Sequence, residues 1–343
     1  MAPQTLVPDA SHGAPPQPVG HQEEGRPVLL LMGDETRDHG GWARLAIERR
    51  YRLLSPPTRS GGQDVVPSGV RGVVTFCEDT VGRALSLAES AGLPAAPLRT
   101  AAHRRDAESQ RAFPSDGSTS ETALTALVVS TVLDGRAAPL FVARPEWEAR
   151  HSGYVVEGAD PLLRHGSVTE AVRAAHRDAG IYCGLTVTEI HVAGWGDDLR
   201  TVSLRVDGLL GTDPLLRAGS LATGIDCALI WADLAAGAEP DLVPRRNSAA
   251  AVRLIHLEPE LVATAAGLDI DALPGGIWEV HLVATGNAAS EPGSAAQALL
   301  AVAVGESAAA CRRALDLLPS VSQPRHHPRP TYTDERNQRR THA

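Results

Sequence analysis

Lysine is missing altogether: all 32 basic residues in this 343-residue chain are arginine. A Walker-type phosphate loop places a lysine ammonium on the β- and γ-phosphates, so that device is excluded. Schiff-base chemistry, which needs an amine nucleophile, and the usual kinase strand lysine are excluded with it. Arginine donates to phosphate through a planar fork of different reach, so it is not a simple replacement. A basic surplus is missing too. The 41 acidic residues leave a formal net charge of -9, which argues against a nucleic-acid partner that would demand a basic face. Cysteine is scarce: Cys77, Cys183, Cys227 and Cys311 lie far apart without paired spacing, so a reduced, cytoplasmic setting is expected rather than a disulfide framework. No apolar run approaches the ~18–20 residues of a membrane span. The N-terminal stretch has Pro, Gly and His where a secretory leader needs basic and then apolar residues. The heavy Ala, Gly and Arg usage fits a high-GC genome.

What is present alternates between strand and helix signals. Residues 1–26 and 319–343 are Pro-, His- and Gly- or Arg-rich without apolar periodicity, and read as disordered tails. The run 325–330 (Arg-His-His-Pro-Arg-Pro) also admits metal capture or an anion contact. Val28–Met32 is a continuous apolar run of the kind buried in parallel sheets. A helix and short strand follow over Gly40–Leu54, then a strand over Gly72–Phe76. A helix over Asp79–Ala91 closes at Gly92-Leu93-Pro94. This β–α–β–α start predicts a parallel α/β layer. Further on, Ala123–Leu133 and Pro139–Ala143 read as strands joined by an Asp134-Gly135 turn. A helix over Ser167–Asp178 carries a capping-box spacing at Ser167 and Glu170. The strands Leu185–Val192 and Leu199–Val206 flank a turn at Gly194–Asp198, and Ile225–Ala236 reads as an amphipathic helix. Strands near Ala251–Leu257, Ile277–Val283 and Ala298–Val304 precede a helix over Ala308–Leu318. The fold class is therefore α/β plus α+β, with α+β modules stacked behind the first domain.

Residues 185–213 concentrate the chemistry. Arg205 and Asp207, at i and i+2, share one face of their strand. If that strand pairs with its neighbour through the Gly194–Asp198 turn, Glu189 comes opposite them at about 5 Å between Cβ atoms. Glu189 and Asp207 then offer two carboxylates to a hard divalent cation such as Mg²⁺. The adjoining loop Gly208–Asp213 is bounded by glycines that leave backbone N–H groups able to face an anion. The plain alternative is a charged strand pair on a solvent face. Cys183 and Cys227 sit in apolar surroundings and read as inert thiols. The Gly33–Gly41 loop lacks a dinucleotide fingerprint.

The stretch Val202-Ser203-Leu204-Arg205-Val206-Asp207-Gly208-Leu209-Leu210-Gly211-Thr212-Asp213, followed by Leu221-Ala222-Thr223-Gly224-Ile225-Asp226, resembles the end of the ATP-grasp fold, in its carboxylate–amine ligase branch. Thr186–Glu189 looks like the family strand that ends in its first metal carboxylate. Gly158–Leu163, the Gly72–Thr75 strand with its helix, and the Trp278–Leu318 region are similar to further family segments. The resemblance covers most of residues 27–318. It implies ATP and Mg²⁺ as cofactors, a small-molecule carboxylate and amine as substrates, and an acyl phosphate between them. It also implies Glu189 and Asp207 as metal ligands, with Arg205, Gly211, Thr212 and Asp213 toward the nucleotide. The domains expected from it are an N-terminal unit over 27–113, a core over 121–247 and a cap over 248–318.

Three departures accompany the match. The family's Glu-x-Asn pair reads Arg205-Val206-Asp207, and unit charges at 4 Å interact by ~4 kcal/mol at an effective dielectric of 20. The family arginine that steadies acyl transfer falls at Leu209. The central subdomain, with its two lysines and flap, is reduced to a loop around Pro114–Ser120. The expectation is a degenerate, non-catalytic or partner-dependent relative of these ligases, set in bacterial specialised metabolism, with Arg205 bridging Glu189 and Asp207. Apolar surface left by the deletion, worth ~25 cal/mol per Å² when buried, favours a homodimer or a complex with a complete ligase. The alternative is an active compact ligase, with Arg104, Arg105 or Arg144 standing in for the lysines and one Mg²⁺ on Glu189 and Asp207.

Overall fold

A computed structural model describes residues 25–33, 41–56, 65–108, 124–148, 151–194, 196–257, 275–285 and 296–318. The readings placed on the two tails, on 34–40 and on the Pro114–Ser120 loop lie outside these residues. Strand β1 (Val28–Met32) is the centre of a three-stranded parallel sheet, between β2 (Arg52–Leu54) and β3 (Val70–Thr75). Its Leu29–Met32 are all buried, as a strand covered on both faces must be. Helices α1 (Trp42–Glu48) and α2 (Val81–Ser90) complete the expected α/β start. Helix α2 stops where Gly92 turns left-handed at φ 65°.

The remaining strands do not form separate modules, as the sequence suggested. β4 (Leu124–Leu133), β5 (Arg136–Glu148), β6 (His151–Glu157), β7 (Gly184–Ala193), β8 (Arg200–Leu209), β9 (Ala249–His256), β10 (Ile277–Thr285) and β11 (Ala296–Gly305) make one sheet. Its order is β10-β11-β9-β6-β5-β4-β7-β8, and every pairing is antiparallel. The expected boundary between 121–247 and 248–318 falls inside it, where β6 pairs with β9. The Asp134-Gly135 turn takes φ 51° and 71°, the mirror-image geometry that suits a two-residue hairpin. One face of the sheet packs on α4 (Gly166–Asp178) and α7 (Ala308–Asp316). The other face shares a single apolar core with the parallel layer and with α3 (Ala96–Glu108), α5 (Pro214–Thr223) and α6 (Cys227–Ala235). Among the described residues no single helix is long and apolar enough to cross a membrane.

Three elements escaped the sequence reading, each for a local reason. β6 contains Gly153, where a Cβ would lie 2.2 Å from the Val252 carbonyl oxygen of β9. α5 begins with Pro214 at its first turn and holds Gly219, where a Cβ would lie 2.1 Å from the Phe141 ring. Glycine and proline in a short segment hide a helix from periodicity. α3 has Pro97 in its first turn, and its second half, 101–108, is a run of Ala, His, Arg, Asp and Glu without apolar periodicity. Two expectations are corrected. α4 is capped by His165, whose Nδ1 accepts from Ser167 N, rather than by Ser167. α6 is not amphipathic: of its nine residues only Leu229 escapes full burial, because α1, α3, α5 and β3 pack around it.

A buried imidazole ties α4 to the sheet. His176, 1% exposed, donates from Nδ1 to the Val172 carbonyl and accepts at Nε2 from the Thr186 hydroxyl, both at 2.7 Å. Both ring nitrogens of the neutral form are thereby satisfied. Burial pushes its pKa below the usual 6.5, so the unfolded chain takes up this proton more readily than the folded one. Stability from this group is present above pH 6.5 and is lost as pH falls below it, by at most about 1.4 kcal/mol per pH unit. Urea unfolding from pH 7.5 to 5 should show that decline, and His176→Gln should flatten it.

Candidate functional site

β7 and β8 pair with Glu189 opposite Arg205 and Val187 opposite Asp207. Strand alternation puts Thr186, Thr188 and Ile190 against the α4 side. Val187 and Glu189 face the other way, together with Arg205 and Asp207. α3 packs against the ends of both strands. A Cβ on Gly208 would stand 1.9 Å from the Thr100 carbonyl oxygen, and one on Gly184 would meet the Thr100 side chain at 2.8 Å. Just above this contact the Asp207 side chain is 5% exposed, while Glu189, further toward the open part of the face, is 28% exposed.

Arg205 lies between them. Its Nε is 2.8 Å from Asp207 Oδ2 and its Nη2 3.5 Å from Glu189 Oε2. The shorter contact lies off the N–H axis, so it is a charge contact rather than a directed hydrogen bond. A divalent cation placed between these acids would meet a guanidinium already there, and this donor set does not fit one. Among the described residues no group of three or more His, Cys, Asp and Glu is arranged to hold a metal ion.

The glycine-bounded loop after β8 is committed to structure. Residues 206–212 are buried. A Cβ on Gly211 would meet the Trp231 ring at 2.8 Å. Thr212 Oγ1 donates to the Phe76 carbonyl at 3.3 Å, and Asp213 Oδ1 accepts from Leu215 N at 2.9 Å, capping α5. Leu209 is 2% exposed, a core position. The Leu221–Asp226 stretch is the break between α5 and α6: Gly224 turns left-handed at φ 74° and Asp226 caps the second helix. Arg144 cannot serve the Glu189 face. It pairs with Asp160 at 2.8 Å, and its neighbour Ala143 is the residue in register with Leu127 and so with Glu189. Arg104 and Arg105 fall in the later turns of α3. Burial pushes the Cys183 thiol up to about 11 and Cys227 up to about 12, which keeps both protonated and unreactive.

A second polar group on the same face was not foreseen. At the sheet's far edge Arg217 of α5 pairs with Glu279 of β10 and lies 5.2 Å from the Trp42 ring centroid. His281 Nε2 is 3.6 Å from Glu279 Oε2. A lone arginine in an otherwise apolar helix was its only trace in the sequence.

No protein-family model matches the chain, and no curated protein matches it. Solved structures do. The chain is similar to phosphoribosylglycinamide synthetase from Anaerococcus prevotii, with TM-score 0.53 and 12% identity over 85% of this chain and 97% of that one. It is similar to the L-amino acid ligase from Bacillus licheniformis, at TM-score 0.51 and 12% identity, with the same coverage. An N5-carboxyaminoimidazole ribonucleotide synthetase in its ADP complex gives TM-score 0.51 and 11% identity over 85% and 96%. The chain therefore has the mixed α/β architecture of the ATP-grasp fold. At these identities the likeness is one of fold alone.

Arg205→Leu should leave Asp207 without its nearest cation. A stability loss of about 1–3 kcal/mol is expected in urea unfolding, and Leu204→Ala on the same strand should cost less because Leu204 is half exposed.

Proposed function

We propose that this chain is a degenerate member of the ATP-grasp ligase fold that does not itself form acyl phosphates and acts through a partner or as a binding scaffold. The observation that carries this reading is Arg205, whose guanidinium lies within 3.5 Å of Glu189 and 2.8 Å of Asp207. A positive charge held between the two acids removes their attraction for Mg²⁺, and phosphoryl chemistry depends on such positioning and charge neutralisation. The absence of lysine works in the same direction. So does chain length: α3 ends at Glu108 and β4 begins at Leu124, leaving no room for a central lysine-bearing subdomain. The division into 27–113, 121–247 and 248–318 is proposed as one of consecutive chain segments rather than of separate modules, since β9–β11 continue the sheet of β4–β8.

Calorimetric titration with ATP, with and without Mg²⁺, tests it. The native chain should show no Mg²⁺-dependent binding at millimolar nucleotide, and Arg205→Glu should gain a Mg²⁺-dependent component. ATP-dependent ligase turnover by the isolated native chain would end this reading.

The partner is proposed as a second copy of this chain or a complete ligase of the same fold. Supporting it, Val202 and Leu204 on the edge strand β8 are 61% and 50% exposed, and Leu124 at the start of β4 is 43% exposed. Such apolar surface favours association. Light scattering after gel filtration should show a dimer at micromolar concentration, weakened by Val202→Asp, and a monodisperse monomer that also fails to bind a ligase partner would remove it.

A further inference from the structure

A large concavity lies away from the plugged acid pair. It encloses about 660 Å³ between the start of β5, the β6–α4 connection and the extended segment that follows α6. That volume lies within the range of small-molecule pockets. Leu140, Leu163, Ile225 and Leu242 line it, with Arg164 and Arg246 at its rim. None of its lining residues belongs to the Glu189, Arg205 and Asp207 group, and β4 separates β5 from β7 in the sheet.

The charges around it do not balance. Asp160 is the one acid on its wall, and that carboxylate is consumed: Oδ2 accepts from Arg144 at 2.8 Å and Oδ1 from Leu162 N at 2.9 Å. Arg245 is paired with Asp241. Among the described residues neither the Arg164 nor the Arg246 side chain has an ion-pair or hydrogen-bond partner. Two guanidinium groups therefore border an apolar floor, and no described carboxylate pairs with either.

Both arginines also stand on fixed backbone. The N–H groups of Arg245 and Arg246 donate to one acceptor, the Thr223 carbonyl, each at 2.8 Å. This is possible because Gly224, at φ 74°, has no Cβ to meet the Arg246 stem 3.1 Å away. Arg164 ends the short helical turn that Asp160 caps. A backbone fixed before a ligand arrives leaves only the side chains to be ordered when they bind it.

We propose that this groove binds a small organic anion: a carboxylate carried on an apolar body, with the head between Arg164 and Arg246 and the body over Leu140, Ile225 and Leu242. Guanidinium groups suit a carboxylate because their planar donors match its two oxygens. The inference is independent of whether the acid pair binds metal.

Anilinonaphthalene sulfonate, an apolar body with one anionic head, is the fluorescent probe, and decanoate and inorganic phosphate are the competitors. The native chain should give a saturable fluorescence rise that decanoate reverses and inorganic phosphate at equal concentration does not. Arg164→Gln and Arg246→Gln should each weaken probe and decanoate binding by about tenfold, with an unchanged thermal midpoint because both side chains are exposed. Leu242→Gln should weaken binding as well while leaving both arginines in place. Binding unaltered by both arginine substitutions, or displacement by inorganic phosphate but not by decanoate, would overturn the proposal.

Discussion

The architecture hangs on a carboxylate buried where two layers meet. Asp233 is 1% exposed within α6, and its side chain is held by Arg50 and Tyr51, just before β2 in the parallel layer. Arg50 Nη1 reaches its two oxygens at 2.9 and 2.7 Å, and the Tyr51 hydroxyl donates at 2.7 Å. Burial, with Asp233 adding to it, pushes the Tyr51 hydroxyl pKa up, so it remains a donor. A buried charge is costly unless it is paired and hydrogen-bonded, so α6 has low energy only with the β2 region docked beside it. The same junction is closed sterically: a Cβ on Gly72 would stand 1.9 Å from the Ala235 carbonyl oxygen at the end of α6. The parallel sheet is thereby held at one distance from the large sheet, and the two share one core.

That docking decides the environment of the acid pair. α3 leaves the parallel layer and lies under β7 and β8, where Gly208 and Gly184 admit Thr100. Asp207 is buried and Glu189 is left partly open. Between such groups a guanidinium is well placed to stay: it satisfies the buried acid at short range and the more open one at longer range. The neighbouring loop has followed the same course. Leu209 is a core residue, Thr212 bonds to Phe76 of the parallel layer, and Asp213 caps α5.

Legibility tracked local patterning closely. β1, β3, the β4–β5 turn and the β7–β8 hairpin were readable because each carries its own signal: an apolar run, an Asp-Gly pair or strict alternation. The pairing of Glu189 with Arg205 followed from the short connection at Gly194–Asp198, even though β8 inserts Leu204 as a bulge beside it. α5 and β6 were hidden because their glycines and proline answer to neighbours far away in sequence, Phe141 and Val252. α6 read as amphipathic because Asp226 and Asp233 look solvent-bound, whereas one is a cap and the other the buried anchor.

The amino-acid sequence on its own determined the parallel start, the hairpins, the missing lysines and the cation between two acids, since alternation and residue type act over a few positions. It also carried the resemblance whose fold the solved structures share. Only the tertiary structure decided that eight strands form one sheet and that the glycine loop is buried. It alone left Arg144 to Asp160 and left Arg164 and Arg246 beside an apolar groove. Those outcomes depend on which distant surfaces meet, and on which charges find partners when they do.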